Sequence, residues 1–280
     1  MLWPQGDDCW IGVISIDKPY TCFKKTFMKI DVDYRRIFKK TVKYILIFHA
    51  VFIAFITALS VLYLYINPPL TTLQLYRAVF NGYDSRKHYN ISLKSIPGKY
   101  QRLLVSTEDP KFYRHYGIDT DAMLTALKTN WRYGKKLSGA STITQQLTRT
   151  LFLFPDKFYI RKYLEVIGAL TLDAVIPKKR ILELYFNNAE WGRGIYGIQS
   201  ASYYYFGCSL KSLSDDQVLR LLSLLPSPCR YSPETFERRG RLRTRYNNLN
   251  ERLEVINSKI WTCHIFNKLC DNSYFQTVHT

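Results

Sequence analysis

The 280 residues suffice for one membrane anchor and one domain of about 200 residues, and the 47% hydrophobic share is ample for a core; internal repeats and long low-complexity tracts are absent. A net charge of +18 points to anionic partners: nucleic acid, anionic lipid or phosphate. The topology read below removes nucleic acid from that set, and none of the six cysteines has a Cys/His spacing that resembles a zinc site.

Residues 1–43 read as a basic cytoplasmic segment. Residues 44–66, YILIFHAVFIAFITALSVLYLYI, form an uncharged run in which His49 is the only readily ionised side chain. At about 1.5 Å rise per residue this run crosses a hydrocarbon core of about 30 Å. No small-residue cleavage site follows it, so an uncleaved anchor is expected. Arg35, Arg36, Lys39, Lys40 and Lys43 precede the span, whereas the first positive charge after it is Arg77. The basic side stays in the cytoplasm and the large C-terminal part faces the other side. Cys9 and Cys22 are then reduced, while Cys208, Cys229, Cys263 and Cys270 lie where disulfides persist; Cys263 and Cys270 are close enough in sequence to suggest a pair.

Pro68 and Pro69 end the anchor. Residues 81–87 read as loop, and residues 100–106 lead into an acidic cluster, STEDPKFYRHYGID, at 106–119. Helical spacing of Met123, Leu127 and Trp131 predicts a helix over 120–132. A basic loop follows at 134–138, then helices over 141–154, 160–175 and 178–187, the last two separated by Pro177. A helix over 215–225 is ended by Pro226 and Pro228, and a basic helix covers 238–256. Residues 257–280 receive no function. With so few β patterns, the domain is expected to be mainly α.

Residues 139–147, GASTITQQL, carry the strongest chemical signal. Thr142, Gln145, Gln146 and Arg149 fall at i, i+3, i+4 and i+7 and so share one helical face, while Ile143, Leu147, Leu151 and Phe154 line another. Hydroxyls, amides and one guanidinium suit a ligand rich in oxygen. Downstream, Glu165 stands at i+4 from Arg161 and i+3 from Lys162, which puts all three on one face.

These segments together resemble glycosyltransferase family 51, the peptidoglycan glycosyltransferases, most closely the monofunctional biosynthetic members. The first motif, Glu-Asp-x-x-Phe-x-x-His-x-Gly, falls on Glu108, Asp109, Phe112, His115 and Gly117. The second is residues 139–146, closed by Phe152; the third is Arg161, Lys162 and Glu165. A fourth follows in ILELYFNNAEWGRGIYG at 181–197 and SASYYYFG at 200–207, and LLSLLPSPCRYSP at 221–233 continues the likeness. Five motifs in order, over roughly residues 68–245, are far more specific than any one of them. Arg149 departs from the resemblance, standing where the family generally has Lys, as do Thr150, Phe186 and Cys208.

The resemblance implies a lysozyme-like, two-lobed glycosyltransferase domain over 67–256, behind the helix at 44–66, in the inner membrane with the catalytic side periplasmic. It implies that lipid II, an undecaprenyl-pyrophosphoryl disaccharide-pentapeptide, is polymerised into glycan strands with release of undecaprenyl pyrophosphate. Glu108 is then the general base and Glu165 the second catalytic carboxylate, which organises cations, or a metal, around pyrophosphate. Asp109, His115, Ser141, Thr142, Gln145, Gln146, Arg149, Arg161, Lys162 and Asn187 are the expected substrate-binding residues. No metal-binding set is assigned, although a divalent cation, Mg or Mn, is compatible with the pyrophosphate. Partners are lipid II, the growing strand, membrane lipids and proteins of cell-wall synthesis or division, with no nucleic acid. Two rival readings are a lysozyme-like glycan-cleaving enzyme and a catalytically weak membrane scaffold. A bifunctional penicillin-binding enzyme needs a transpeptidase domain for which the chain has no room; Ser15 to Lys18 matches Ser-x-x-Lys, but no Lys-Thr-Gly partner exists.

Overall fold

The computed structural model describes residues 33–84, 86–134, 139–156, 158–234 and 240–275, with side chains to residue 259. Cys9, Cys22, the Ser15–Lys18 match, residues 135–138 of the basic loop and the start of the basic helix at 238 lie outside the described residues. The chain divides into two units, residues 1–45 and 46–280. Of the first, residues 33–45 are described; they are exposed and mainly helical, with the Asp33 carboxylate accepting from Arg36 N at 3.1 Å.

Ten α-helices are described: α1 Tyr34–Tyr65, α2 Thr72–Asn81, α3 Gly98–Glu108, α4 Thr120–Tyr133, α5 Ile143–Phe152, α6 Tyr159–Val175, α7 Lys178–Asn188, α8 Ile198–Phe206, α9 Asp215–Leu224 and α10 Gly240–Phe275. The hairpin of β1 Glu190–Gly192 and β2 Ile195–Tyr196 is the sole sheet among the described residues. The mainly α expectation therefore holds.

α1 is the one helix among the described residues long and apolar enough to cross a membrane. From residue 46 onward, Ile56, Ser60 and Tyr63 are buried, at i, i+4 and i+7 on one stripe, whereas most other side chains of that stretch are exposed or half-buried. The helix stops before Asn67-Pro68-Pro69, since proline cannot supply the next N–H. Its orphan C-terminal carbonyls are met by a side chain. Arg180 of α7 donates to Tyr63 O at 2.9 Å and to Ile66 O at 2.7 Å. The same guanidinium pairs with Glu183, whose other oxygen accepts from Leu93 N at 2.7 Å.

α5 is the central strut, packed against α2, α6 and α7 through Ile143, Leu147 and Leu151. Gly168 permits the closest approach. A Cβ there would lie 2.7 Å from Thr148 Cγ2 on α5 and 3.0 Å from Ile56 Cδ1 on α1, so only glycine lets α6 close on both. α10 packs against α3 and α9, closing the domain from the C-terminal side.

Two expectations, the bounds of α5 and the length of α10, are revised. α5 begins at Ile143 rather than 141, because Thr142 is its N-cap, and it ends at Phe152, which leaves Phe154 51% exposed instead of on the buried face. The helix expected over 120–132 is present as α4, and its Leu127 and Trp131 point outward with Leu124, so the apolar spacing marks an exposed stripe. α10 continues past residue 256 to Phe275 without a break. The side chains of Cys263 and Cys270, and so their pairing, lie outside the described residues.

Candidate active site

The site starts where α3 ends. Glu108 is its last residue and Asp109 its C-cap, and the break from helical conformation at Asp109 (φ -158, ψ 78) separates the directions of the two carboxylates. Asp109 turns inward. Its Oδ2 accepts from Ile143 N at 3.0 Å, the first N–H of α5, so the carboxylate sits at the positive end of that helix. His115 Nε2 lies 2.9 and 3.0 Å from the two Asp109 oxygens. Thr142 Oγ1 donates to Gly117 O at 2.6 Å. Gly117 has φ +73, and a Cβ would fall 2.5 Å from Ala169 O, so this turn requires glycine. Asp109, His115, Gly117 and Thr142 thus lock the acidic segment onto the start of α5.

Glu108 faces the other way. Its Oε2 accepts from Gln146 Nε2 at 3.1 Å, and its Oε1 is ion-paired to Arg245 of α10. Gln146 Oε1 in turn accepts from Tyr185 OH at 2.9 Å, which fixes the amide orientation. Burial, then the Glu108 charge, push the Tyr185 phenol well above its ordinary range, so it stays protonated and remains a donor.

The second carboxylate is completely enclosed. Glu165 has 0% side-chain exposure and accepts from Arg161 Nη1 and Lys162 Nζ, each at 2.5 Å. Arg161 Nε is held by Asp156 O, also at 2.5 Å, and Lys162 reaches Ser141 Oγ at 3.0 Å. The predicted one-face arrangement of Arg161, Lys162 and Glu165 is therefore present, with Ser141 attached to it.

A cavity of about 300 Å³ opens between these groups, lined by Gln146 and Arg149 of α5, Arg161 of α6, Tyr185 of α7, and the Arg77–Glu190 pair. Neither Glu108 nor Glu165 lines it directly; each is one hydrogen bond from a residue that does, Gln146 and Arg161 respectively. Arg149 is half-buried on the cavity wall and makes no ion pair among the described residues. The cavity therefore combines a carboxylate-linked amide with several guanidinium groups, a set that suits proton abstraction beside a bound anion.

Not every expected residue turns to this space. Thr142 and Gln145 are buried and close on each other in a capping box, Thr142 Oγ1 accepting from Gln145 N and Gln145 Oε1 from Thr142 N. Of the four residues read as one ligand-facing surface, only Gln146 and Arg149 line the cavity. Asn187 is also buried; its amide pairs with Ile91 N at 2.8 Å and Ile91 O at 3.0 Å, pinning the segment before α3. Three residues were missed. Tyr185 lies inside the quoted fourth motif, Arg77 carries the first positive charge after the span, and Arg245 sits in a helix read only as basic. Among the described residues no three His, Cys, Asp or Glu side chains converge as a metal site. Glu165 is poorly suited to hold Mg or Mn, because both its oxygens already accept from cations.

Residues 75–254 match the family described as transglycosylase. The chain is 41% identical over 169 residues to the biosynthetic peptidoglycan transglycosylase of Vibrio parahaemolyticus, covering 59% of this chain and 75% of that protein. The protein of the same description from Shewanella frigidimarina is 40% identical over 169 residues, covering 60% and 72%. That from Caulobacter vibrioides is 40% identical over 172 residues, covering 61% and 73%.

Proposed function

The chain belongs to the transglycosylase family, and from that premise we propose that it is a peptidoglycan glycosyltransferase that polymerises lipid II into glycan strands. The observation that carries the reading is the cavity itself, where Gln146, bonded to Glu108, faces Arg149 and Arg161, the latter bonded to Glu165.

The acceptor sugar's 4-hydroxyl attacks the anomeric carbon of the lipid-linked strand. Its oxygen forms the new glycosidic bond as its proton passes to Glu108, and the bond from that carbon to the pyrophosphate oxygen breaks, releasing undecaprenyl pyrophosphate. A sugar hydroxyl is a poor nucleophile at neutral pH, which is why a positioned base is needed. Gln146 and Arg245 hold Glu108 in one rotamer. The departing pyrophosphate concentrates negative charge, which Arg149, Arg161 and Lys162 neutralise. Glu165 acts through Arg161 and Lys162, fixing where their charge lies. Asp109, His115, Thr142, Gln145 and Asn187 shape the walls from behind, and Ser141 orients Lys162.

In this reading residues 44–66 anchor the enzyme in the inner membrane and residues 67–256 form the catalytic domain on the periplasmic side, supported by the basic residues before the span. The outward stripe of Leu124, Leu127 and Trp131, together with exposed Tyr159 and Ile160, offers an apolar surface for membrane lipid. Proteins of cell-wall synthesis or division are the expected macromolecular partners. The deciding experiment incubates the purified full chain with labelled lipid II, with and without a divalent cation. Polymer growth supports the proposal. Fragments released from finished glycan would identify a cleaving enzyme, and inactivity on both substrates a scaffold.

A further inference from the structure

Beyond the catalytic cavity lies a second one of about 330 Å³, and Pro228 lines both. None of its other lining residues contributes to the chemistry above. Its walls carry Tyr204, Tyr205 and Tyr231 together with two cations, Arg193 and Arg230, against one carboxylate, Glu234. This composition differs from that of the first cavity, where guanidinium groups dominate and one tyrosine is fully buried.

The walls are built rather than incidental. α8 delivers Tyr204 and Tyr205 side by side, their ring centroids 4.9 Å apart and nearly perpendicular. Tyr205 OH donates to Trp191 O at 3.2 Å. That approach depends on Gly192, where a Cβ would lie 2.3 Å from the Tyr205 oxygen. Tyr204 is half exposed, with the Arg86 guanidinium 5.2 Å from its ring centroid. Arg193 Nε donates to Cys229 O at 3.2 Å, which fixes the side chain by one nitrogen and leaves its terminal pair for a ligand. Arg230 is exposed.

Tyrosine rings pack against the apolar faces of sugar rings while their hydroxyls hydrogen-bond, and arginine forks match carboxylates. We propose that this second cavity is a subsite for the glycan strand as it leaves the catalytic cavity past Pro228, with Tyr204 against a sugar ring and Arg193 and Arg230 on the carboxylates of its peptide side chains. The assignment deepens the proposed function and rests on it. It implies that the enzyme keeps hold of its product at a point separate from the pyrophosphate site.

The test uses the full chain in detergent micelles and two soluble probes: uncrosslinked glycan chains bearing peptides, and the same chains stripped of peptide. Dissociation constants are measured without turnover. Arg193→Ala combined with Arg230→Ala should weaken binding of the peptide-bearing chains at least about tenfold and leave the stripped chains unaffected. Tyr204→Ala should weaken both probes. In polymerisation assays both variants should consume lipid II at the initial wild-type rate but release shorter strands. Wild-type affinity for both probes in both variants overturns the subsite. So does an arginine effect that is equally large on stripped chains, because the cations would then not be reading carboxylates. If the wild-type chain makes no polymer at all, the proposed function fails, while the binding constants still decide whether the second cavity takes glycan.

Discussion

Replacing Glu165 by Gln preserves shape and removes one charge from the middle of the cation cluster. In the native arrangement each carboxylate oxygen accepts from one cation at 2.5 Å, and the side chain has no contact with solvent. The two cations differ in what they can do once the charge is gone. Lys162 is 38% exposed and turns to water at little cost, whereas Arg161 is only 10% exposed and cannot. Removing one partner of a buried pair costs about 3–5 kcal/mol when the other charge is left uncompensated. Gln retains one acceptor for Arg161, and Asp156 O still holds its Nε, so about half of that penalty, roughly 1.5–2.5 kcal/mol, is expected. For a domain of this size the melting temperature should fall by about 3–10 °C. Thermal unfolding of the full chain in detergent, followed by circular dichroism, measures the loss. Steady-state turnover of lipid II below the new midpoint measures what the freed cations do to chemistry. Because the pair is buried, added salt should not restore wild-type stability. A Glu165→Gln variant within about 0.5 kcal/mol of wild type, with unchanged turnover, would refute the claim that this carboxylate organises the cluster.

Glu108→Gln should lower polymerisation by roughly 10²–10⁴-fold with the fold intact, and near-normal turnover of lipid II would remove it as the base. Arg245→Ala should reduce kcat about tenfold with little change in KM, with partial recovery in Arg245→Lys; an unchanged kcat would make the Glu108 ion pair dispensable. Arg149→Lys should keep substantial activity, whereas Arg149→Ala should lose about 1.5–3 kcal/mol of transition-state stabilisation, read from kcat/KM; wild-type kinetics in a folded Ala variant would take Arg149 out of the site. Burial first, and the Glu190 carboxylate second, push the Cys229 thiol up to about 12. Since the folded state favours the neutral thiol, its contribution to stability is complete below about pH 9, the unfolded value, and is lost as pH rises toward 12. At pH 8 Cys229 should therefore alkylate about 10³-fold more slowly than in the unfolded chain, as peptide mass spectrometry would show, and comparable rates would contradict the raised thiol.

Local periodicity was enough where a function is built within one or two helical turns. Arg161, Lys162 and Glu165 meet because residues three and four apart on a helix are neighbours, and that requires no knowledge of the rest of the chain. The same rule failed one helix earlier. Thr142 and Gln145 occupy the correct face by spacing, yet the helix start consumes both, because the orphan N–H groups of its first turn compete for side-chain acceptors. Asn187 illustrates a second limit, since an amide within a motif serves equally well to pin a distant backbone segment. The contact between Glu108 and Arg245 spans 137 residues and was invisible to any window-based reading. Its only trace was a basic helix whose charges could not be told apart. The outward face of α4 was hidden for a related reason: spacing shows that a stripe is apolar, but not whether protein or lipid covers it.

Arg180 ties the last carbonyls of the apolar helix to the same helix, α7, that carries Tyr185 into the cavity. A span held this way has no free swivel at its exit. In a bilayer thinner or thicker than its apolar length, a helix relieves the mismatch by leaning. With the exit gripped, the lean passes into α7 instead of being absorbed by the Asn67-Pro68-Pro69 turn. With residues 44–66 anchored in a bilayer as proposed, its thickness would act on α7 through one guanidinium and two carbonyl oxygens.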